Sequence, residues 1–188
     1  MEQKIRRTGI DRRNKQTDIK TNKRSNTERR TVIKDSKRII DYMKKIPLFD
    51  GLTYDEYTKI LNICTKKIIP QEHFLCNEGD ESDELFILLK GQLKVTFHGG
   101  TLLAYITPLG LVGEMGVFTD TKRSASVIAT NESTVLRMSK NELFEVFRNN
   151  CALGNRIFLN VINDCAKKLH EDNEIVDEMR KKRLTRTL

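Results

Sequence analysis

Between Lys66 and Met138 the chain breaks into seven short apolar runs separated by turn signals: Lys67–Ile69, Phe74–Cys76, Leu85–Leu89, Leu93–Phe97, Leu102–Ile106, Ala125–Ala129 and Thr134–Met138. Runs of this length at such regular intervals are the pattern of all-β sandwiches and barrels. Gly79-Asp80, Lys90-Gly91 and Gly99-Gly100 punctuate them, and the glycine pair between two runs is a two-residue hairpin signal. A jelly roll is the natural closure for so many short antiparallel strands.

Helical spacing stands on both sides of this block. From Ser36, Ile39, Ile40, Met43 and Ile46 recur at helical intervals until Pro47 stops the run. A second helix is expected from Thr53, an N-cap residue with Glu56 at the capping-box offset and an apolar face of Tyr57, Ile60, Leu61 and Cys64. After the strands, Ser139 with Glu142 has the same capping-box spacing, opening a helix that carries Leu143, Phe144, Val146 and Phe147. From about Leu153 a long helix follows. Its residues Phe158, Ile162, Cys165, Leu169, Val176 and Met179 keep a 4-3 alternation broken only by Asp172, the pattern of a coiled-coil seam. Ile157 and Val161 lie off that seam and are expected on the roll, leaving the seam for a second copy; a helix folded wholly onto its own domain is the alternative. The fold class is therefore α+β: a β-roll with short N-terminal helices and a long C-terminal one.

The segment Leu111-Val112-Gly113-Glu114-Met115-Gly116-Val117-Phe118 interrupts the strand pattern, and Thr119-Asp120-Thr121-Lys122-Arg123-Ser124-Ala125-Ser126-Val127 follows it. Glycine weakens strands and marks places where a ligand or another backbone comes close. Two glycines flanking a carboxylate, in a turn able to present free N–H groups, suit the approach of an anion.

This segment resembles the phosphate-binding cassette of the cyclic nucleotide-binding domain family, which includes the bacterial catabolite activator protein and the regulatory subunits of protein kinase A. The residues that carry the resemblance are Gly113-Glu114 and, nine positions after the glutamate, Arg123-Ser124-Ala125-Ser126-Val127. It extends to the Gly79-Asp80 and Lys90-Gly91 turns, the Ile46-Pro47-Leu48-Phe49 lead-in and the last two helices, covering about residues 39–180. The proline often found before the arginine is Lys122 here.

The resemblance implies that Arg123 pairs with the cyclic phosphate and that Glu114 accepts the ribose 2′-hydroxyl. Gly113, Met115, Gly116 and Ala125 would contribute backbone amides and Ser124 a hydroxyl. The chemistry suits these roles. A guanidinium fork engages two exocyclic phosphate oxygens where a lysine acts only as a point charge, and a carboxylate, an acceptor only, favours a ribose over a deoxyribose. Cyclic AMP is the expected ligand, with cyclic GMP as the other candidate. Base recognition in this family comes largely from the last helix, where Asn160, Asn163 and Lys167 are candidates. The alternative for Glu114 and Arg123 is a plain salt bridge closing a surface loop.

The N-terminal part differs sharply from the rest. Residues 1–38 hold 14 Lys or Arg against 5 Asp or Glu, and the remaining residues hold 20 against 21. With only Met1, Ile5, Ile10, Ile19, Val32 and Ile33 to bury, the tail is expected to be disordered when unbound, ahead of a domain spanning 39–188. Two units with a 17-residue period lie within it, Arg6-Arg7-Thr8-Gly9-Ile10-Asp11-Arg12-Arg13 and Lys23-Arg24-Ser25-Asn26-Thr27-Glu28-Arg29-Arg30. Such a segment attracts phosphate, whether of nucleic acid, acidic lipid or a nucleotide messenger, or docks on an acidic protein surface. No aromatic residue interleaves the arginines, so base stacking is unsupported.

Several classes are disfavoured. No stretch of 18 apolar residues and no secretory leader occurs, so a soluble, cytoplasmic protein is expected. Cys64, Cys76, Cys151 and Cys165 form no CxxC pair and are expected to be buried thiols of a reducing compartment. His73, His98 and His170 stand apart, without the clustering that a metal-dependent cupin needs. Beyond the seam only Arg180-Lys181-Lys182-Arg183-Leu184-Thr185-Arg186 precede the last two residues, so a helix-turn-helix activator is not expected. The expected function is a non-catalytic cyclic mononucleotide receptor that acts, as a homodimer through its last helix, on a protein effector. The alternatives are a ligand-free β-roll adaptor and nucleic-acid binding through the tail.

Overall fold

A computed structural model describes residues 36–97 and 100–185. The basic repeats, with the disorder expected of the tail, and His98-Gly99 lie outside these residues. Helix α1 (Ser36–Met43), a 3-10 turn at Pro47–Phe49 and helix α2 (Tyr54–Asn62) precede the strands. Eight strands follow: β1 (Thr65–Ile69), β2 (Phe74–Cys76), β3 (Glu84–Lys90), β4 (Leu93–Phe97), β5 (Thr101–Ile106), β6 (Leu111–Val112), β7 (Ser126–Ala129) and β8 (Ser133–Ser139). A short helix α3 (Glu114–Thr119) lies between β6 and β7, and α4 (Lys140–Asn149) and α5 (Cys151–Thr185) close the chain.

The strands form two antiparallel four-stranded sheets, ordered β1-β8-β3-β6 and β2-β7-β4-β5. All seven sequence-read runs are present, Phe74–Cys76 and Leu93–Phe97 with the same bounds and the others lengthened or shortened at their ends. The two-residue β6, paired through Phe86 with Val112 and Ile87 with Leu111, is an addition too short to show a period of its own. Strand β3 explains how the two layers fit together. Its alternate residues Phe86 and Leu88 face the space between the sheets, with Leu93, Val127 and Val135. Leu85 and Ile87 point the other way, into a second cluster with Leu136, Met138, Ile40, Met43, Ile60 and Leu153. Burial on both faces is why this strand reads as an unbroken apolar run. At about 1.5–3 kcal/mol for each fully buried aliphatic side chain, these two clusters are the main source of stability.

The helix starts are only partly as expected. Thr53 caps α2 with both bonds of a capping box, its hydroxyl accepting from the Glu56 N–H while the Glu56 carboxylate accepts from the Thr53 N–H at 2.8 Å. Ser139 makes no such side-chain bond. It is the last paired residue of β8, opposite Glu84, and the first N–H of α4, from Lys140, is satisfied instead by the Asp83 carbonyl at 2.8 Å.

Helix α5 begins at Cys151. Leu153 and Ile157 are buried and Val161 packs against the same cluster, which is the off-seam packing expected. Phe158 was assigned to the seam but serves the domain. Its ring packs edge-on against Phe118 of α3 and against Phe144 and Phe147 of α4, with centroids 5.6–6.0 Å apart. Of the remaining seam residues, Cys165 is half-buried, whereas Ile162, Leu169, Val176 and Met179 are exposed, as are Leu159 and Ile175 beside them. Among the described residues no helix is long and apolar enough to cross a membrane. The four cysteines are free; Cys64 and Cys76 are buried as expected, but Cys165 is only half-buried and Cys151, at the start of α5, is exposed.

Candidate functional site

The cassette is built on one left-handed residue and one backbone clamp. Gly113 follows β6 at φ 91° and turns the chain into α3, a conformation that side chains other than glycine rarely adopt. A Cβ there would lie 1.8 Å from Arg123 Nη1 and 2.8 Å from the Glu84 carbonyl oxygen, so the glycine also makes room for the guanidinium. Asp120 caps α3 in the left-handed conformation, and the chain then runs to Arg123. The Arg123 N–H donates to the Asp80 carbonyl and the Gly79 N–H donates to the Arg123 carbonyl, each at 2.8 Å. The Gly79-Asp80 turn therefore fixes the arginine from both sides of its peptide unit.

The Arg123 side chain is 7% exposed. Its Nη2 donates to the Glu84 carbonyl at 2.5 Å, and the guanidinium lies 5.7 Å from the centre of the Phe86 ring. Nε and Nη1 have no hydrogen-bond partner, and among the described residues no carboxylate pairs with this charge. The nearby Cys76 thiol does not neutralise it. Burial pushes the Cys76 pKa up against the opposing pull of Arg123, so the thiol keeps its proton at neutral pH. A buried guanidinium with two unmet donor atoms is costly unless an anion completes it.

A cavity of about 200 Å³ opens beside these donors between the two sheets and α3. Gly113, Glu114, Met115, Gly116, Arg123, Ser124 and Ala125 all line it, so the structure brings together every cassette residue singled out from sequence. Val95, Ile106 and Val127 supply an apolar wall. Ser124 is exposed at the rim rather than held inside.

Glu114 stands at the rim towards α5. Its carboxylate accepts from Lys168 Nζ at 3.3 Å, and Lys168 also pairs with Asp164 at 2.9 Å. Partial burial favours loss of the Lys168 proton, but the bond to Asp164 and the charges of Glu114 and Asp164 outweigh it, raising the pKa above its ordinary value. Glu114 and Arg123 do not form the loop-closing salt bridge that was the alternative; each has a different partner.

The base-contact candidates are not brought to this cavity. Asn160 donates to the carbonyls of Leu48 and Asp50, both at 3.0 Å, fixing α5 to the 3-10 turn. Asn160, Asn163 and Lys167 line a separate groove with Lys44, Lys45 and Asp50. One helical position decides the difference, since Lys168 faces the cassette and its neighbour Lys167 does not. The signal was present in Val161, because a residue seven positions beyond a roll-facing one falls on the same helical face. Ser82 was missed as well. It is buried, lines the cavity and has an unpartnered hydroxyl. Nothing in the Asp80-Glu81-Ser82-Asp83 loop marked it. Among the described residues no cluster of His, Cys, Asp and Glu is arranged to hold a metal ion.

Two antiparallel four-stranded sheets with a cavity between them, lined by a buried arginine that no carboxylate among the described residues pairs, form a β-roll of the jelly-roll type. Residues 66–150 match the family model of the cyclic nucleotide-binding domain, and this segment belongs to that family. The chain is 33% identical over 132 residues to "Glutaminase 1" of Bradyrhizobium diazoefficiens, covering 70% of this chain and 21% of that protein. It is 29% identical over 110 residues to the "Cyclic AMP receptor protein" of Thermus thermophilus, covering 56% of this chain and 51% of the relative. The chain thus spans about half or less of the length of these curated relatives. The crystal structure of Thermus thermophilus Catabolite Activator Protein superposes with a TM-score of 0.61 at 26% identity, covering 71% of this chain and 62% of that one.

Proposed function

We propose that the chain is a receptor for a cyclic mononucleotide, cyclic AMP foremost, and that binding rather than catalysis is its role. The observation that carries this reading is Arg123, a buried positive charge whose Nε and Nη1 lack partners at the edge of a cavity. A cyclic phosphodiester supplies what is missing, one negative charge on two acceptor oxygens that a guanidinium engages as a fork. Glu114, at the rim of the same cavity, accepts the ribose 2′-hydroxyl. The preference for cyclic AMP is supported by the likeness to the Thermus receptor.

Output runs through α5. Glu114 touches it through Lys168 and Phe118 touches it through Phe158, so both ends of the cassette helix are tied to the long helix. Ligand entry shifts α3, and α5 carries that shift to the exposed stripe of Ile162, Leu169, Val176 and Met179, where a second copy docks and an effector reads the change. The test is a thermal-shift comparison of wild type and Arg123→Ala with cyclic AMP. The wild type is stabilised and the variant is not; equal shifts in both would reject the role of Arg123.

A further inference from the structure

We infer that Ser82 is a further ligand-binding residue whose hydroxyl donates to an exocyclic phosphate oxygen of the cyclic nucleotide. The inference rests on the proposed function and adds a contact that the cassette pattern does not contain.

Among the described residues, the buried side-chain nitrogen and oxygen atoms without a partner are Thr65 Oγ1, Ser82 Oγ, Arg123 Nε and Arg123 Nη1. Three of these four belong to two residues lining one cavity. Native folds satisfy nearly all buried polar groups, so unmet donors gathered at one cavity point to a shared missing acceptor. Ser82 itself is 6% exposed, between the Gly79-Asp80 turn and β3.

Its hydroxyl occupies space that a glycine keeps open. A Cβ at position 116 would lie 2.0 Å from Ser82 Oγ and 2.7 Å from the Thr121 carbonyl oxygen. It would also lie 2.4 Å from the Ser82 Cβ, so Gly116 makes room for this whole side chain, whose hydroxyl makes no bond within the protein. Alanine at position 82 would fit the same place without leaving a polar atom unmet, so the ligand-free fold gains nothing from serine. The gain must come when an acceptor arrives.

The proposed ligand supplies that acceptor. Arg123 offers charge and a fork, and Ser82 offers a neutral O–H to one more lone pair. A singly charged phosphodiester, with two exocyclic oxygens carrying more than two acceptor sites, accommodates all three donors. A carboxylate also offers two oxygens and about four acceptor sites, so the choice of phosphate comes from the proposed function and Ser82 adds one more donor to it.

The experiment titrates wild type, Ser82→Ala and Arg123→Ala with cyclic AMP and with its two phosphorothioate diastereomers, and records ligand-free melting temperatures. Ser82→Ala is expected to bind cyclic AMP about 10-fold more weakly. That loss should shrink to less than about 2-fold for the diastereomer whose sulfur replaces the oxygen Ser82 contacts, because sulfur is a weak acceptor. Without ligand, Ser82→Ala should melt at the wild-type temperature or above it. Wild-type affinity in Ser82→Ala alongside lost binding in Arg123→Ala would overturn the Ser82 contact and leave the receptor reading standing. Equal losses for both diastereomers, or a lowered ligand-free melting temperature, would assign Ser82 a structural role and also overturn the contact. No binding by the wild type would overturn both.

Discussion

Lys168, fifty-four positions away in sequence, reaches Glu114 of the cassette with its ammonium 3.3 Å from the carboxylate. The residue proposed to read the ribose is therefore also an attachment point of the long helix. Glu114 and α5 are thus in direct contact, with no element between them.

The Lys168 link is expected to hold α5 down. Its pKa is raised in the folded chain, so the folded state keeps this proton more tightly than the unfolded one. The contribution to stability is full below the ordinary lysine value of 10.5 and is lost as pH rises through the higher folded value. Urea midpoints of Lys168→Met should lie below those of wild type at about pH 7 and approach them at about pH 11. In the same variant, amide exchange around residues 160–170 should accelerate. Parallel curves at both pH values would remove Lys168 from the coupling.

Gly113→Ala should lose ligand affinity. The new methyl would both strain a residue at φ 91° and collide with Arg123 Nη1 at 1.8 Å. The left-handed conformation alone costs about 1–2 kcal/mol for a non-glycine residue. A Tm drop of a few degrees is expected with binding reduced far more, because displacing the guanidinium removes the phosphate partner. Retained affinity would show that Arg123 tolerates displacement, contrary to its fixed placement.

The sheets and most helices were legible because their signals are local. The β3 run Leu85–Leu89 was apolar without interruption since it is buried on both faces, and Thr53 with Glu56 formed the box their spacing announced. Ser139 with Glu142 had the same spacing but no box, because pairing with Glu84 and the Asp83 carbonyl already satisfied the helix start. Gly113, Glu114 and Arg123 were legible as a cassette through their resemblance to a family. Lys168 and Ser82 were not singled out: Lys168 meets the cassette only through Glu114, its helix face marked in sequence by Val161 alone, and Ser82 sits in a loop that nothing in the sequence marks.

The exposed stripe on α5 predicts self-association. Ile162 is 61% and Leu169 63% exposed, spaced one heptad apart with Cys165 between them. Leu169→Asp should shift the sedimentation of wild-type dimers to monomers, since a charge in an apolar seam has no partner. A monomeric wild type at high concentration would leave the stripe to another protein.

Thiol labelling should follow position. Burial, with the charge of Glu142, pushes the Cys64 thiol far up, and burial raises Cys76 as well, whereas Cys151 is exposed. At neutral pH a disulfide reagent should modify Cys151 first and reach Cys64 and Cys76 only on unfolding. Saturating cyclic nucleotide should protect Cys76 further, because it lines the cavity.

Isothermal titration of the full chain with cyclic AMP and cyclic GMP tests the central claim most directly. One site per chain is predicted, tighter for cyclic AMP, with Arg123→Ala abolishing the heat. Absence of binding by either nucleotide at about 100 μM, where even a free energy near −5.5 kcal/mol would register, would contradict it.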